Sequence, residues 1–179
     1  MERDTEQLYE QALVLRCQVG DEGAFELLVG RYEAKLRYYL RRMLANDDRA
    51  EDVLQDVWLD VLRRVARLRD AGAFRVWLYR IARDKAYYEL RKRRKWIEFG
   101  EQQDAGQTPS EDTGFSAADA ARIHAALDRL EAPHREVLVL RFLNSMSYEA
   151  IAQVVGCPVG TVRSRLHYAK QALRKEMGG

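Results

Sequence analysis

"GCPVGTVRSRLHYAKQALRK", residues 156–175, joins a tight Gly-Cys-Pro corner to a helical pattern with separate apolar and polar sides. Val159, Val162, Leu166, Ala169 and Leu173 recur at steps of three and four, which places them on one buried stripe. Thr161, Arg163, Ser164, Arg165, His167, Tyr168 and Lys170 are left to the wet sides. Just upstream, "YEAIAQVV" reads as a short helix with Ser147 as its cap and Ile151, Ala152 and Val155 as its buried residues. Gly156 turns the chain, and Pro158 suits a first helical turn because the N–H it lacks would have had no partner there. Two helices about a glycine turn make helix-turn-helix grammar. The pattern alone fits an ordinary helix pair equally well. Its side chains favour DNA: guanidinium, hydroxyl and imidazole groups can reach base edges or phosphates, and no acid stands between Glu149 and Glu176 to repel the backbone.

The rest of the chain also reads as helical. Among 179 residues there are only three prolines, and no run alternates strictly in Val, Ile and Thr as strands do. A first helix is expected over 5–19, ended by Gly20, and a second is capped by Asp21 and runs to about Leu44. The second carries Phe25, Leu28, Val29, Tyr32, Leu36, Tyr39 and Leu40 along one stripe. Asn46 or Asp47 caps a third, in which Val53, Leu54, Val57, Trp58, Val61, Leu62, Val65 and Leu68 form the expected apolar side. "RDAG" interrupts that pattern, and a fourth helix starts near Ala73 with Phe74, Trp77, Leu78, Ile81 and Ala82 inward and "RKRRK" at its end. Beyond the connector, one helix is expected through Leu130 and another opens at Pro133, before the loop "NSMS".

A net charge of +2 hides a segregation along the chain. Residues 1–95 hold 21 Lys/Arg against 17 Asp/Glu, residues 96–118 none against 5, and residues 119–179 hold 9 against 6. The middle stretch is rich in Gly, Pro, Ser and Gln without periodicity and reads as a flexible acidic linker. The expected architecture is therefore all-α, with helical domains at 1–95 and 119–179 joined by a linker at 96–118.

Several function classes lack their signatures. There is no Walker loop, GxSxG or HExxH, so no catalytic residues are expected, and no cofactor. Cys17 and Cys157 form no CxxC pair, and His124 and His134 lack ligand spacing, so no metal is expected. No apolar run reaches the roughly 18 residues of a membrane span and the N-terminus has no signal pattern; a cytoplasmic protein without membrane insertion is expected. A transcription regulator with an upstream ligand pocket and an RNA-binding protein using "RKRRK" are the competing readings.

Three segments carry a family resemblance. "SYEAIAQVVGCPVGTVRSRLHYAKQALRK" resembles the minus-35-reading helix-turn-helix of bacterial RNA polymerase sigma factors of the extracytoplasmic-function (ECF) group. "AEDVLQDVWLDVLRR" resembles their core-binding helix, and "FRVWLYRIARDKAYYELRKRRK" their minus-10-reading helix. The resemblance implies that Asp52, Gln55, Asp56, Leu59 and Asp60 dock on the clamp coiled coil of the largest subunit of core RNA polymerase; from the residues alone, that face reads as merely solvated. It implies that Leu68 and the following helix, through Phe74, Trp77, Tyr79, Arg80, Arg83, Asp84, Tyr87 and Arg91, engage melted minus-10 DNA. Phe74 and Trp77 are also spaced as core residues. Rings and cations mixed on one side suit unpaired bases and phosphates. It further implies that Arg163, Ser164, His167 and Tyr168 read minus-35 base edges in duplex promoter DNA while Arg165 and Lys170 hold phosphates, and that an anti-sigma factor binds the protein. Relatives often carry Asn in place of Asp84, an aromatic in place of Leu68, and Phe-Arg in place of His167 and Tyr168; these departures bear on base preference.

Overall fold

The computed structural model of the chain describes residues 2–98 and 117–178. The regular elements among those residues are all helices, with no strand among them. The first group holds α1 (Glu2–Gln18), α2 (Glu22–Leu44), α3 (Asp47–Arg64) and α4 (Phe74–Glu98), with two short 3₁₀ turns at 65–67 and 71–73 between α3 and α4. The second holds α5 (Ala117–Asp128), α6 (Ala132–Leu138), α7 (Tyr148–Val155) and α8 (Val159–Gly178); α6 runs on into a π-helical turn at 139–143. Helix α4 thus extends three residues into the expected linker and α5 starts just inside its far end. The rest of that linker, 99–116, lies outside the described residues.

Local chemistry sets several boundaries. Asp21 accepts from the Ala24 N–H at 3.0 Å, Asn46 from Arg49 N–H at 2.8 Å, and Ser147 Oγ from Ala150 N–H at 3.0 Å. Each satisfies a first-turn donor that the helix itself cannot. Gly20 and Gly156 take φ of 87° and 69° after α1 and α7, where an L-residue is strained. Ala45 and Ser145 nevertheless adopt φ near 50°.

Helix α2 is the centre of the packing, in contact with α1, α3, α4 and α6. Its Leu28, Leu36, Tyr39, Leu40 and Met43 have no exposed surface. Ring contacts tie it outward: Phe25 meets Trp58 edge-on at 6.1 Å, and Tyr32 meets Phe74 at 5.7 Å. The two groups also pack on each other, α4 against α7, and α2 against α6 and the π turn. Buried residues of both belong to one contiguous core. In the second group, Val162, Leu166 and Ala169 of α8 are buried as the sequence pattern requires, with Val159 and Leu173 packed at its edge.

The turn between α7 and α8 rests on the left-handed Gly156, around which no atom lies within 4 Å of an added Cβ. Gly156→Ala therefore meets backbone strain and no clash. It is expected to lower stability by about 1 to 2 kcal/mol in urea denaturation, without loss of helix content.

Candidate functional site

The wet face of α8 is open. Arg163, Ser164, His167, Tyr168 and Lys170 are exposed, while Thr161 and Arg165 are half-buried at its margins. The His167 and Tyr168 rings meet edge-on at 5.4 Å, and Gln171 Nε2 lies 3.0 Å from His167 Nε2, so the imidazole is held on both sides. Ser164 Oγ donates to the Thr161 carbonyl at 3.0 Å, which leaves its lone pairs outward as acceptors. Lys170 lies over the ring of Phe142, 5.1 Å from its centroid. Phe142, on the π turn, is 56% exposed and adds an apolar edge that α8's own pattern could not announce.

On α3, Asp52, Gln55, Asp56 and Leu59 face solvent. Asp60 does not fully join them: it is half-buried, with Lys85 of α4 at 3.1 Å and Arg64 at 3.8 Å. Leu62, read above as part of the buried stripe, is 55% exposed beside Leu59. At about 100° per residue it projects roughly 20° from Gln55 and about 105° from the centre of the stripe, so it belongs to the outward face. That face is thus two leucines among acids and an amide.

The third region is less exposed than the sequence suggests. Leu68, at the end of the first 3₁₀ turn, is half-buried, and α1 holds its backbone: Gln18 Nε2 donates to the carbonyls of Val65 at 3.1 Å and Leu68 at 2.7 Å. Asp70 accepts from the Gly72 N–H at 2.8 Å, and the Gln11 amide lies 3.0 Å from where a Gly72 Cβ would be. Gln18 carries no sequence signal of this role, because the atoms it bonds are backbone carbonyls 47 and 50 residues away.

Along α4, Arg80, Asp84 and Arg91 are exposed, Trp77, Arg83 and Tyr87 are half-buried, and Phe74 and Tyr79 have no exposed surface. The expectation that Tyr79 shares an outward face with Arg80 is corrected, and Phe74 is an interior residue. The reason is that α4 is covered twice. Phe74 packs on Tyr32 of α2, while the Tyr79 hydroxyl bonds Asn144 Oδ1 and Arg75 donates to the Asn144 carbonyl, both partners belonging to the second group.

At the centre of this seam is Glu136 of α6, with no exposed surface. Its Oε1 accepts from Tyr39 Oη and Arg83 Nε, each at 2.9 Å, and its Oε2 from Tyr87 Oη at 2.9 Å. Burial, with the Glu136 charge behind it, pushes the Tyr87 phenol up to about 12 and the Tyr39 phenol well above its usual range, so both hydroxyls remain donors. Burial lowers Arg83, but Glu136 and the two phenols outweigh it, and the guanidinium stays charged. Arg83 also lies over the Tyr87 ring at 4.4 Å. A second link joins Arg42 of α2 to Asp128 of α5 at 3.0 and 3.2 Å, beside a Tyr38–His124 ring contact at 5.5 Å.

Among the described residues, no group of His, Cys, Asp or Glu could hold a metal ion, and no helix is long and apolar enough to cross a membrane.

Comparison with known proteins gives this arrangement its class. Residues 28–96 match the family described as Sigma-70 region 2 and residues 120–173 match Sigma-70, region 4. The chain is 33% identical over 186 residues to the RNA polymerase sigma-H factor of Pseudomonas aeruginosa, covering 94% of this chain and 93% of that one. It is 35% identical over 181 residues to the ECF RNA polymerase sigma-E factor of Escherichia coli K12, covering 94% of each. Its fold is similar to that of the sigma factor RpoE of Bartonella quintana, solved in complex with the anti-sigma factor NepR (TM-score 0.76, 24% identity, 86% of this chain and 96% of that one). It is also similar to CnrH, solved with the cytosolic domain of CnrY (TM-score 0.70, 26% identity, 93% and 95%). The chain belongs to the ECF group of RNA polymerase sigma factors, which are transcription-initiation factors and not enzymes.

The two Gln18 hydrogen bonds are what α1 contributes to the 65–68 backbone. Gln18→Ala is expected to lower the local stability of residues 65–73 by about 1 to 3 kcal/mol. Amide exchange followed by mass spectrometry checks this, as faster exchange in that segment with α3 and α8 unchanged.

Proposed function

We propose that this protein binds core RNA polymerase, recognises minus-10 and minus-35 promoter elements, and promotes DNA opening for initiation. One observation carries the reading: α8 buries Val162, Leu166 and Ala169 behind a glycine turn and leaves Arg163, Ser164, His167, Tyr168 and Lys170 exposed. This is the arrangement a helix needs to enter a major groove. Arg163, Ser164, His167 and Tyr168 read base edges, while Arg165 and Lys170 hold phosphates, with Thr161 at the margin.

Core polymerase docks on α3. Asp52, Gln55 and Asp56 supply polar contacts and Leu59 and Leu62 the apolar ones, a combination suited to the face of a coiled coil. Leu68, Trp77, Arg80, Arg83, Asp84, Tyr87 and Arg91 engage the melted minus-10 strand, with Phe74 and Tyr79 supporting them from beneath. An anti-sigma protein is a further partner, as it is for the RpoE relative. Work on a bacterial chromosome places the protein in the cytoplasm.

Run-off transcription from a candidate promoter with purified core polymerase tests the whole reading; no promoter-dependent product would sink it. The surfaces are tested separately. Exchanging both Gln55 and Asp56 for Lys keeps the fold, since neither is buried, and is expected to abolish most copurification with core by setting cations where acids and amides stood. His167→Ala is expected to change the preferred minus-35 sequence in a selection from random DNA. Arg163→Ala is expected to cost about 1 to 3 kcal/mol of binding and relax preference at a single base pair.

A further inference from the structure

We propose that Tyr39, Arg83 and Tyr87 form an anion site for one backbone phosphate of the melted minus-10 strand, and that Glu136 fills it in the closed chain as an internal stand-in. The inference rests on the minus-10 reading of α4 given above.

The donors come from one side only. Tyr39 lies on α2 and Arg83 and Tyr87 on α4, whereas the carboxylate arrives from α6 of the other group. The donor set is also braced without Glu136. Arg83 is stacked over Tyr87 at 4.4 Å, and Tyr39 packs edge-on against Tyr79 at 5.6 Å. Two phenols and a guanidinium, converging from different directions on two oxygens, suit an oxyanion with several oxygens and a full negative charge. A phosphodiester has that chemistry.

Position along the helix points to the same ligand. At about 100° per residue, Arg80, Arg83, Tyr87 and Arg91 fall within an arc of roughly 80° on α4. Arg80 and Arg91 are exposed at the two ends, and Glu136 sits on the middle pair. Cations spaced along one face with a ring among them form a track for a nucleic-acid strand. With Glu136 in place the track is interrupted at its centre; with Glu136 withdrawn it runs the length of the face. Closing the chain and binding the strand are therefore competing uses of one site.

The test measures binding of labelled single-stranded DNA, either a minus-10 strand or a scrambled strand, across a range of salt. It uses the full-length protein alone and after assembly with core polymerase. Free Glu136→Gln is expected to bind both strands on the order of tenfold tighter than free wild type, because a phosphate contact serves all sequences alike. In the assembled enzyme, Arg83→Gln is expected to weaken both strands and to reduce the slope of log affinity against log salt by about 0.7, the value for one phosphate on a single strand. Tyr39→Phe should weaken both strands with the slope kept. Circular dichroism verifies folding; should Glu136→Gln not fold, the Arg83 and Tyr39 variants in the assembled enzyme decide alone. An unchanged salt slope in Arg83→Gln overturns the proposal, as does wild-type affinity in a folded Glu136→Gln. In both cases preference of the assembled wild type for the minus-10 strand would leave the reading of α4 standing. Absence of that preference would overturn the reading itself, and the proposal with it.

Discussion

A carboxylate without solvent contact joins the two halves of this chain. Removing an ionised Glu from water is strongly unfavourable unless both oxygens are matched, and Glu136 is matched by donors on α2 and α4. This fixes the approach of α6, because a small slide would leave a charge buried and unpaired. Once α6 is placed, the rest of the seam follows. Asn144, at the end of the π turn, reaches the Tyr79 hydroxyl with its side chain and Arg75 with its carbonyl, and Asp128 meets Arg42. A seam of this kind confers register more than raw stability, since a pair of buried ions gains little over a well-packed apolar contact.

On the proposed function, the same seam divides the two DNA-reading surfaces unequally. The exposed face of α8 is unaffected by the packing, whereas α4 has lost Tyr79 and half of Arg83 and Tyr87 to the interior. On the proposed function, the closed chain therefore presents its duplex reader and withholds its single-strand reader. That order fits the chemistry of initiation, in which the minus-35 element stays paired and the minus-10 element must be opened. A polar seam also suits reversibility: its donors and acceptors can exchange with water or phosphate, where an apolar one would resist separation.

What the sequence made legible follows from how far each signal reaches. Caps are local, and Asp21, Asn46 and Ser147 could be found because the donor they satisfy lies three residues away. A single buried stripe is also legible, as on α8. Helix α4 defeats this logic because it is covered from two sides, and a second covering that consists of Tyr and Arg looks the same in sequence as a wet face. Leu62 was misplaced for the converse reason: its apolarity widened the stripe on α3 beyond what α2 and α4 can cover. The left-handed turns at Ala45 and Ser145 carry no glycine, and the π turn carries no pattern of its own. Of the candidate sites, the α8 face and most of the α3 face could be read off. The triad around Glu136 could not, because it joins residues 49 to 97 positions apart.

Distance sets the last constraint on how the halves work. The connection from Glu98 to Ala117 spans 19 peptide steps, and at about 3.5 Å per residue it can reach no further than roughly 65 Å. Promoter elements one to two helical turns apart lie on the order of 50 to 60 Å from each other. On the proposed function, reach alone therefore permits α8 and α4 to occupy the minus-35 and minus-10 elements together, with the widths of the helical groups as an added margin. Yet in the closed chain Glu136 holds α6 within hydrogen-bond distance of α4, so that separation is unattainable while the seam is intact. The obstacle to reading a whole promoter is thus the seam and not the length of the connector. Whatever holds the halves apart, core polymerase on the proposed reading, must first supply Tyr39, Arg83 and Tyr87 with another anion or with water.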